Sequence, residues 1–463
     1  MRKGEYRKYE MDLSQGPYLK KILIFALPLI ASGILQLCYN AADTVIVGRL
    51  VDEHALAAVG ANTHLIDLLI NLALGLAVGI NVVAAQCFGA KEYEDVNKIV
   101  HTSSFMALIL GVIVGATGFI FSRPLLILME CPEDILEQAV LYLRIYMLGM
   151  PASLFYNFGA AILRSVGNTR QPLYFLTIAG IVNVLTNIFL IVVFHMGVAG
   201  VAIATTVSQY LSAGLVFRCL WNRNDCLQLC ITRLRMDWKL IKPILYIGIP
   251  AGLQSTLIAL PNVLIDASVN TFGSLAVAGV SASNNLEGFI HAAMVAVANT
   301  ALAFVSQNVG AKNYRSIPVI IRICLLAEFV VAAGMAAIFC IFSTPLLQIY
   351  LPSSDEAVAF GAMRNNIVFS GIFLMGFINV FMSGMRGMGE SIKPAVSVLA
   401  GLCGVRIIWI YTVFALERTL PVLFLAFPAS WIVTAAVQGI LYLMTYKSFI
   451  AKNKANCLKQ STT

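Results

Sequence analysis

Apolar stretches of about 20 or more residues recur along the whole chain, each closed by a short polar break, and a helix of that length crosses a hydrocarbon layer of about 30 Å. Cutting the chain at the breaks predicts twelve helical spans, near 22–44, 55–85, 99–121, 136–161, 173–195, 198–220, 240–265, 275–305, 317–342, 357–385, 395–416 and 420–446. The breaks carry a second pattern. With the N-terminus inside, 25 of the 31 Lys and Arg residues fall in inner loops and tails, three (Arg49, Arg123, Arg418) in outer loops and three (Arg144, Arg364, Arg406) within spans. This bias follows the positive-inside rule and would collapse if one early span had been missed or invented. It predicts a multi-pass protein of the cell membrane with both termini in the cytoplasm.

Composition agrees. Of 463 residues, 59 % are apolar and 12 % charged, against about 45–50 % and 25 % in soluble domains. With a mean hydropathy of +0.84, a soluble enzyme or secreted module is excluded, and the expected fold class is an all-α polytopic membrane protein with twelve transmembrane helices. The formal charge of +8 does not point to nucleic acid, because the basic residues are scattered singly through short loops. Ten cysteines lie mostly within apolar runs; the closest pair, Cys226 and Cys230, has no nearby histidine to complete a metal site, so packing is their expected role. The polar, basic first 21 residues lead into a full-length apolar run with no small-residue cleavage signal, and are expected to be retained.

The two halves repeat. FALPLI (25–30) matches IGIPAG (247–252), CFGAKEY (87–93) matches NVGAKNY (308–314), FSRPLL (121–126) matches FSTPLL (342–347), and RSVGNTRQP (164–172) matches RGMGESIKP (386–394), at offsets of 221 or 222 residues. Six spans per repeat, an even number, start both halves on the same side, the parallel arrangement of some secondary transporters. The expected organisation is a cytoplasmic tail (1–21), an N-lobe of six helices (22–220), a cytoplasmic linker (221–239), a C-lobe of six helices (240–446) and a second cytoplasmic tail (447–463). No G-x-x-x-x-G-K-[ST] loop is present, so the chain does not by itself draw on ATP and a gradient must drive it.

The first-span segment LPLIASGILQLCYNAADTVIVGRL (27–50), ALAAVGA (55–61), QCFGA (86–90), RSVGNTRQP, NVLTNIFLIVVFHMGVAGVAIATTVSQ (183–209), AVAGVSASNNLEGF (276–289) and FVSQNVGA (304–311) resemble the multidrug and toxic compound extrusion (MATE) family. The resemblance covers nearly the whole chain and implies an antiporter that exports amphipathic, often cationic, small molecules in exchange for Na⁺ or H⁺, without other cofactors and as a monomer in the lipid bilayer. Lipid-linked oligosaccharide and polysaccharide flippases of the same superfamily supply the competing function. A flippase would need a larger basic cavity for pyrophosphate, and Arg406 is the one cation expected deep in a span. A membrane enzyme is not expected, since the histidines are dispersed and no H-E-x-x-H occurs.

Acidic residues inside spans are Asp43, Asp67, Asp266, Glu287 and Glu328. A carboxylate at the bilayer centre costs about 2.5–3.5 kcal/mol on insertion scales, so each needs a partner, a proton, an ion or a watery cavity. Asp43 lies 15 residues beyond Pro28, about 22 Å along a helix, with Gln36 two turns before it on the same face. It either marks the outer end of the helix or binds the coupling cation, and the resemblance assigns it the second role. Asn183 and Asn187 share a face at i, i+4, and each can offer a carbonyl oxygen to a cation or an amide to a carboxylate. The resemblance groups Asp43, Asn183, Asn187 and Thr205 around one cation or proton site, and Na⁺ at Asp43 is the one metal it allows. Some family members carry Asp where this chain has Asn187, and a single carboxylate leaves Na⁺ and H⁺ both open.

Asp67 and Glu287 are repeat equivalents and are expected to face a lobe interior or a cleft. Arg406 is expected to neutralise Glu287 or Asp266, in a structural pair or in transport. Asp266 sits one residue from the repeat partner of Asp43 and so is not a second copy of that site. Glu328, Arg144 and Arg364 are expected to snorkel or pair locally. Pro28 and Pro250 occupy matching places in the first span of each half, where a missing backbone hydrogen bond permits a hinge.

Overall fold

The computed structural model describes residues 11–51, 53–352 and 354–461. Residues 1–10 of the expected N-terminal tail and residues 462–463 lie outside them. Among the described residues ten helices are long and apolar enough to cross a membrane, and two bent pairs raise the number to twelve. In chain order the spans are Tyr18–Leu50, Glu53–Gly89, Tyr93–Leu128, the pair Glu133–Leu148 and Met150–Ser165, Arg170–Val192, Gly197–Trp221, Trp238–Asn270, Ser274–Gly310, Ile317–Ile341, the pair Asp355–Phe369 and Ile372–Gly387, Ile392–Leu416, and a twelfth from Leu420. No strand occurs among the described residues. The protein is therefore a multi-pass membrane protein, and each predicted span has its helix. The last helix runs on to Ser461, so residues 447–461 of the expected tail continue it.

Local chemistry explains the irregular spans. The fourth bends by 47° at Gly149, where Pro151 cannot donate to the carbonyl of Met147 and its ring crowds that position. Gly115 accommodates the Met147 carbonyl, and a Cβ there would stand 2.7 Å from it. The tenth bends by 46° between Phe369 and Ile372, at Ser370 and Gly371. The eleventh opens into a π-helical turn at Leu399–Gly404, immediately before Arg406, the kind of bulge that re-aims the side chains after it.

Packing divides the chain into two compact units. Among the described residues, one holds Met11–Asp12 together with Ala31–Gly248; the other holds Leu13–Ile30 and those from Ile249 onward. Two of the three boundaries fall within helices, beside the matching prolines: two residues past Pro28 and just before Pro250.

In the first unit the segment after Trp221 lies over the third span. Asn97 Nδ2 donates to the carbonyls of Cys226 (3.1 Å) and Gln228 (2.9 Å), and the Cys230 N–H donates to His101 Nε2 at 3.0 Å. In the second unit the corresponding strap is Leu13–Tyr18. The Leu13 N–H donates to Gln307 Oε1 (3.0 Å), Asn308 Nδ2 to the Leu13 carbonyl (2.9 Å) and the Tyr18 hydroxyl to Asn308 Oδ1 (3.3 Å). Phe25 then meets Phe304 edge-on at 5.7 Å.

Candidate functional site

The first span is one uninterrupted helix to Leu50, so Asp43 sits about two turns inside its end. Its Oδ1 accepts a 2.6 Å hydrogen bond from Asn187 Nδ2 on the fifth span. Asn183, one turn earlier, brings its Oδ1 within 3.5 Å of the same amide. Both asparagines are buried, and Asn187 Oδ1 has no donor among the described residues. A half-buried carboxylate, a shared amide and an orphaned carbonyl oxygen thus converge. Carboxylate and amide oxygens are the donors that hard cations take, and the same set can share a proton.

Two residues outside the sequence expectation position this group. The Tyr39 ring occupies the space that a Cβ on Gly180 would need, and its hydroxyl donates to the Thr177 carbonyl at 3.1 Å. Tyr39 and Asp43 are i, i+4 on one helix; Gly180, Asn183 and Asn187 are i, i+3, i+7 on the other. Each set lies along one face, so the aromatic ring seated on glycine fixes the approach of the two helices one turn from the carboxylate. The spacing was visible in the sequence, but nothing along the chain names the partner helix.

Thr205 is not brought to Asp43 by a hydrogen bond: its hydroxyl donates to Val201 of its own helix at 3.0 Å. Gln36 and Asp67 are exposed. Pro28 lies within the continuous first span, and Pro250 lies eight residues before the break at Ile258 in the seventh.

The second unit contains a partly open cavity of about 300 Å³ whose polar lining includes Asn262, Asp266, Glu287, His291, Arg364 and Arg406. Arg364 Nη2 pairs with Glu287 Oε2 at 2.6 Å and Nη1 donates to Ser283 Oγ at 2.7 Å. Arg406, the expected neutraliser of Glu287, acts on it only through space and makes its direct contacts elsewhere: Nη1 donates to Asn262 Oδ1 (2.7 Å) and Nε to Ser430 Oγ (3.2 Å), and the guanidinium lies 4.4 Å from the Phe427 ring centre. The reason is the broken tenth span, both halves of which pack on the eighth, carrying Arg364 inward to Glu287. Glu328 also departs from expectation. It neither snorkels nor pairs; it is fully buried against Gly376, and neither carboxyl oxygen has a partner among the described residues. Arg144 does pair locally, with Ser122 Oγ at 3.1 Å and the Phe119 ring. No cluster of three or more metal-capable His, Cys, Asp or Glu side chains occurs among the described residues.

A family model, MatE, matches residues 28–189 and 250–412, once in each half. The "Probable multidrug resistance protein YoeA" of Bacillus subtilis is 26 % identical over 395 residues, covering 84 % of this chain and 85 % of its own. The "FAD transporter" of Shewanella oneidensis is 27 % identical over 308 residues, or 65 % of this chain and 67 % of its own. A solved multidrug resistance MATE family transporter of the MOP superfamily shares the fold, with a TM-score of 0.89 at 20 % identity over 96 % of this chain and 99 % of its own.

Proposed function

The chain belongs to the MatE family of multidrug and toxic compound extrusion transporters, and from that premise we propose that it exports amphipathic, often cationic, small molecules across the cell membrane in exchange for Na⁺ or H⁺. The observation that carries the coupling role is the Asp43–Asn187 hydrogen bond beside the orphaned Asn187 Oδ1. A carboxylate at this depth is costly unless a cation or proton joins it. Arrival of either replaces the amide N–H as the carboxylate's partner, and Asn187, rotated about its side chain, can then present its oxygen instead.

Coupling follows if substrate and ion favour opposite arrangements of this group, since linkage then makes each weaken the other's binding by the same factor. Pro28 lowers the cost of bending the first helix on the way from one arrangement to the other, because it cannot donate to the carbonyl four residues back. Alternating access in a monomer, with both termini in the cytoplasm as the Lys and Arg distribution supports, completes the reading. Na⁺ and H⁺ are distinguished by loading vesicles that contain the purified chain with rhodamine 6G and imposing each gradient in turn. Asp43→Asn should abolish the gradient-driven component of efflux. Wild-type rates in that variant would place the coupling elsewhere.

A further inference from the structure

The cavity of the second unit has a charge pattern that cation export does not use. Glu287 makes its direct ion pair with Arg364 and reaches Arg406 only through space. Arg406, which is 3 % exposed, has only neutral partners recorded in contact with it: an amide oxygen, a serine hydroxyl and the face of Phe427. It makes no ion pair among the described residues, and Arg364 stands over the same ring at 5.3 Å. A buried guanidinium whose direct contacts are all neutral, with its nearest carboxylate paired to another arginine, keeps room for a directly bound anion. Asp266 lines the cavity from an exposed position, where water can solvate it. The neighbouring wall adds the buried Trp431, whose indole N–H has no acceptor among the described residues, while Ile258, Met375 and Leu402 supply an apolar floor.

We propose that this cavity is a recognition site for the carboxylate or phosphate of an amphipathic aromatic molecule, with Arg406 as the residue that contacts the anionic group. The π turn at Leu399–Gly404 sets where Arg406 emerges, and Asn262 and Phe427 hold its plane, so the guanidinium is fixed before the ligand arrives. Bidentate approach to a carboxylate or phosphate is the geometry a guanidinium favours and an ammonium does not match. The volume suits one drug-sized molecule. The proposal extends the cargo from cations to anions and zwitterions, and rests on the transport reading above only for the step that carries the molecule across.

Two xanthene dyes separate the contributions: fluorescein, which carries a carboxylate, and rhodamine 6G, whose carboxyl is esterified and whose ring system is cationic. Fluorescence anisotropy with the purified full chain should show saturable fluorescein binding. Arg406→Gln should lower the ratio of fluorescein to rhodamine 6G affinity by about tenfold, and Arg406→Lys should restore part of it. Asn284→Asp, at an exposed position on the cavity lining, should lower the same ratio with Arg406 intact. Absence of saturable fluorescein binding, an unchanged ratio in both Arg406→Gln and Asn284→Asp, or equal loss of both dyes would overturn the proposal. Gradient-driven export of rhodamine 6G by the unmodified chain reports on the antiport reading alone. A chain that exports that dye without binding fluorescein keeps the first reading and loses this one.

Discussion

The same place in the two repeats carries opposite chemistry. Shifted by 222 residues, Asp43 falls on the buried, apolar Ile265, and Asn183 and Val184 fall on Val405 and Arg406. In the first unit the pairing of first and fifth spans brings an acid to two amides; in the second, the fifth-span equivalent turns a guanidinium toward an amide and an aromatic ring. A one-residue step rotates a side chain by about 100° around a helix. Duplication therefore preserved the scaffold while single positions decided which charged group each pairing of helices presents, and a motif match between halves says little about what each half holds.

The sharpest way to break this comparison is to remove the acid from each side. Asp43→Asn should lower gradient-driven efflux at least about 100-fold, a loss of about 2.7 kcal/mol in the coupled step, whereas Asp266→Asn should slow it by less than about tenfold. Similar losses in vesicle assays would make the two units functionally equivalent. The next effect is on stability. Glu287→Ala strands the buried Arg364 and should cost about 3–5 kcal/mol, read as a lower melting temperature of the purified chain; the double variant with Arg364→Met should recover much of that. No recovery would show that the pair is not the origin of the loss.

A smaller effect is expected where the first unit is clamped. Gly180→Ala forces the Tyr39 ring off its seat, and overpacking of this kind costs about 1–3 kcal/mol. Thermal unfolding measures the cost, and efflux should fall with it as Asp43 and Asn187 are pushed apart; a stable variant with slowed efflux would separate positioning from stability. Smallest of all is Glu328→Gln. With no ion pair or hydrogen bond to lose, it should shift stability by about 1 kcal/mol or less, and a drop as large as that of Glu287→Ala would mean that Glu328 has a charged partner after all.

Hydropathy and the Lys and Arg bias were enough to place all twelve spans, because lipid forces long uninterrupted apolar runs wherever a helix crosses. Asp43 was legible for the same reason: a charge among apolar neighbours stands out. What stayed hidden depends on distance across the fold. Gly180 reads as an ordinary small residue until the Tyr39 ring lands on it. Arg364 reads as an end-of-span cation until the break at Ser370 and Gly371 lets it turn inward to Glu287. The π turn before Arg406 has no mark in the composition of Leu399–Gly404.

The strap Leu13–Tyr18 and the helix stretch through Ile30 are made before Ala31–Gly248 of the other unit, yet they pack with Phe304, Gln307 and Asn308, which are made nearly 300 residues later. The other unit, from Ala31 to Gly248, can assemble from consecutive chain. During synthesis, then, this segment waits in the bilayer until the eighth span arrives, and its docking is a late event of biogenesis that completes the second unit.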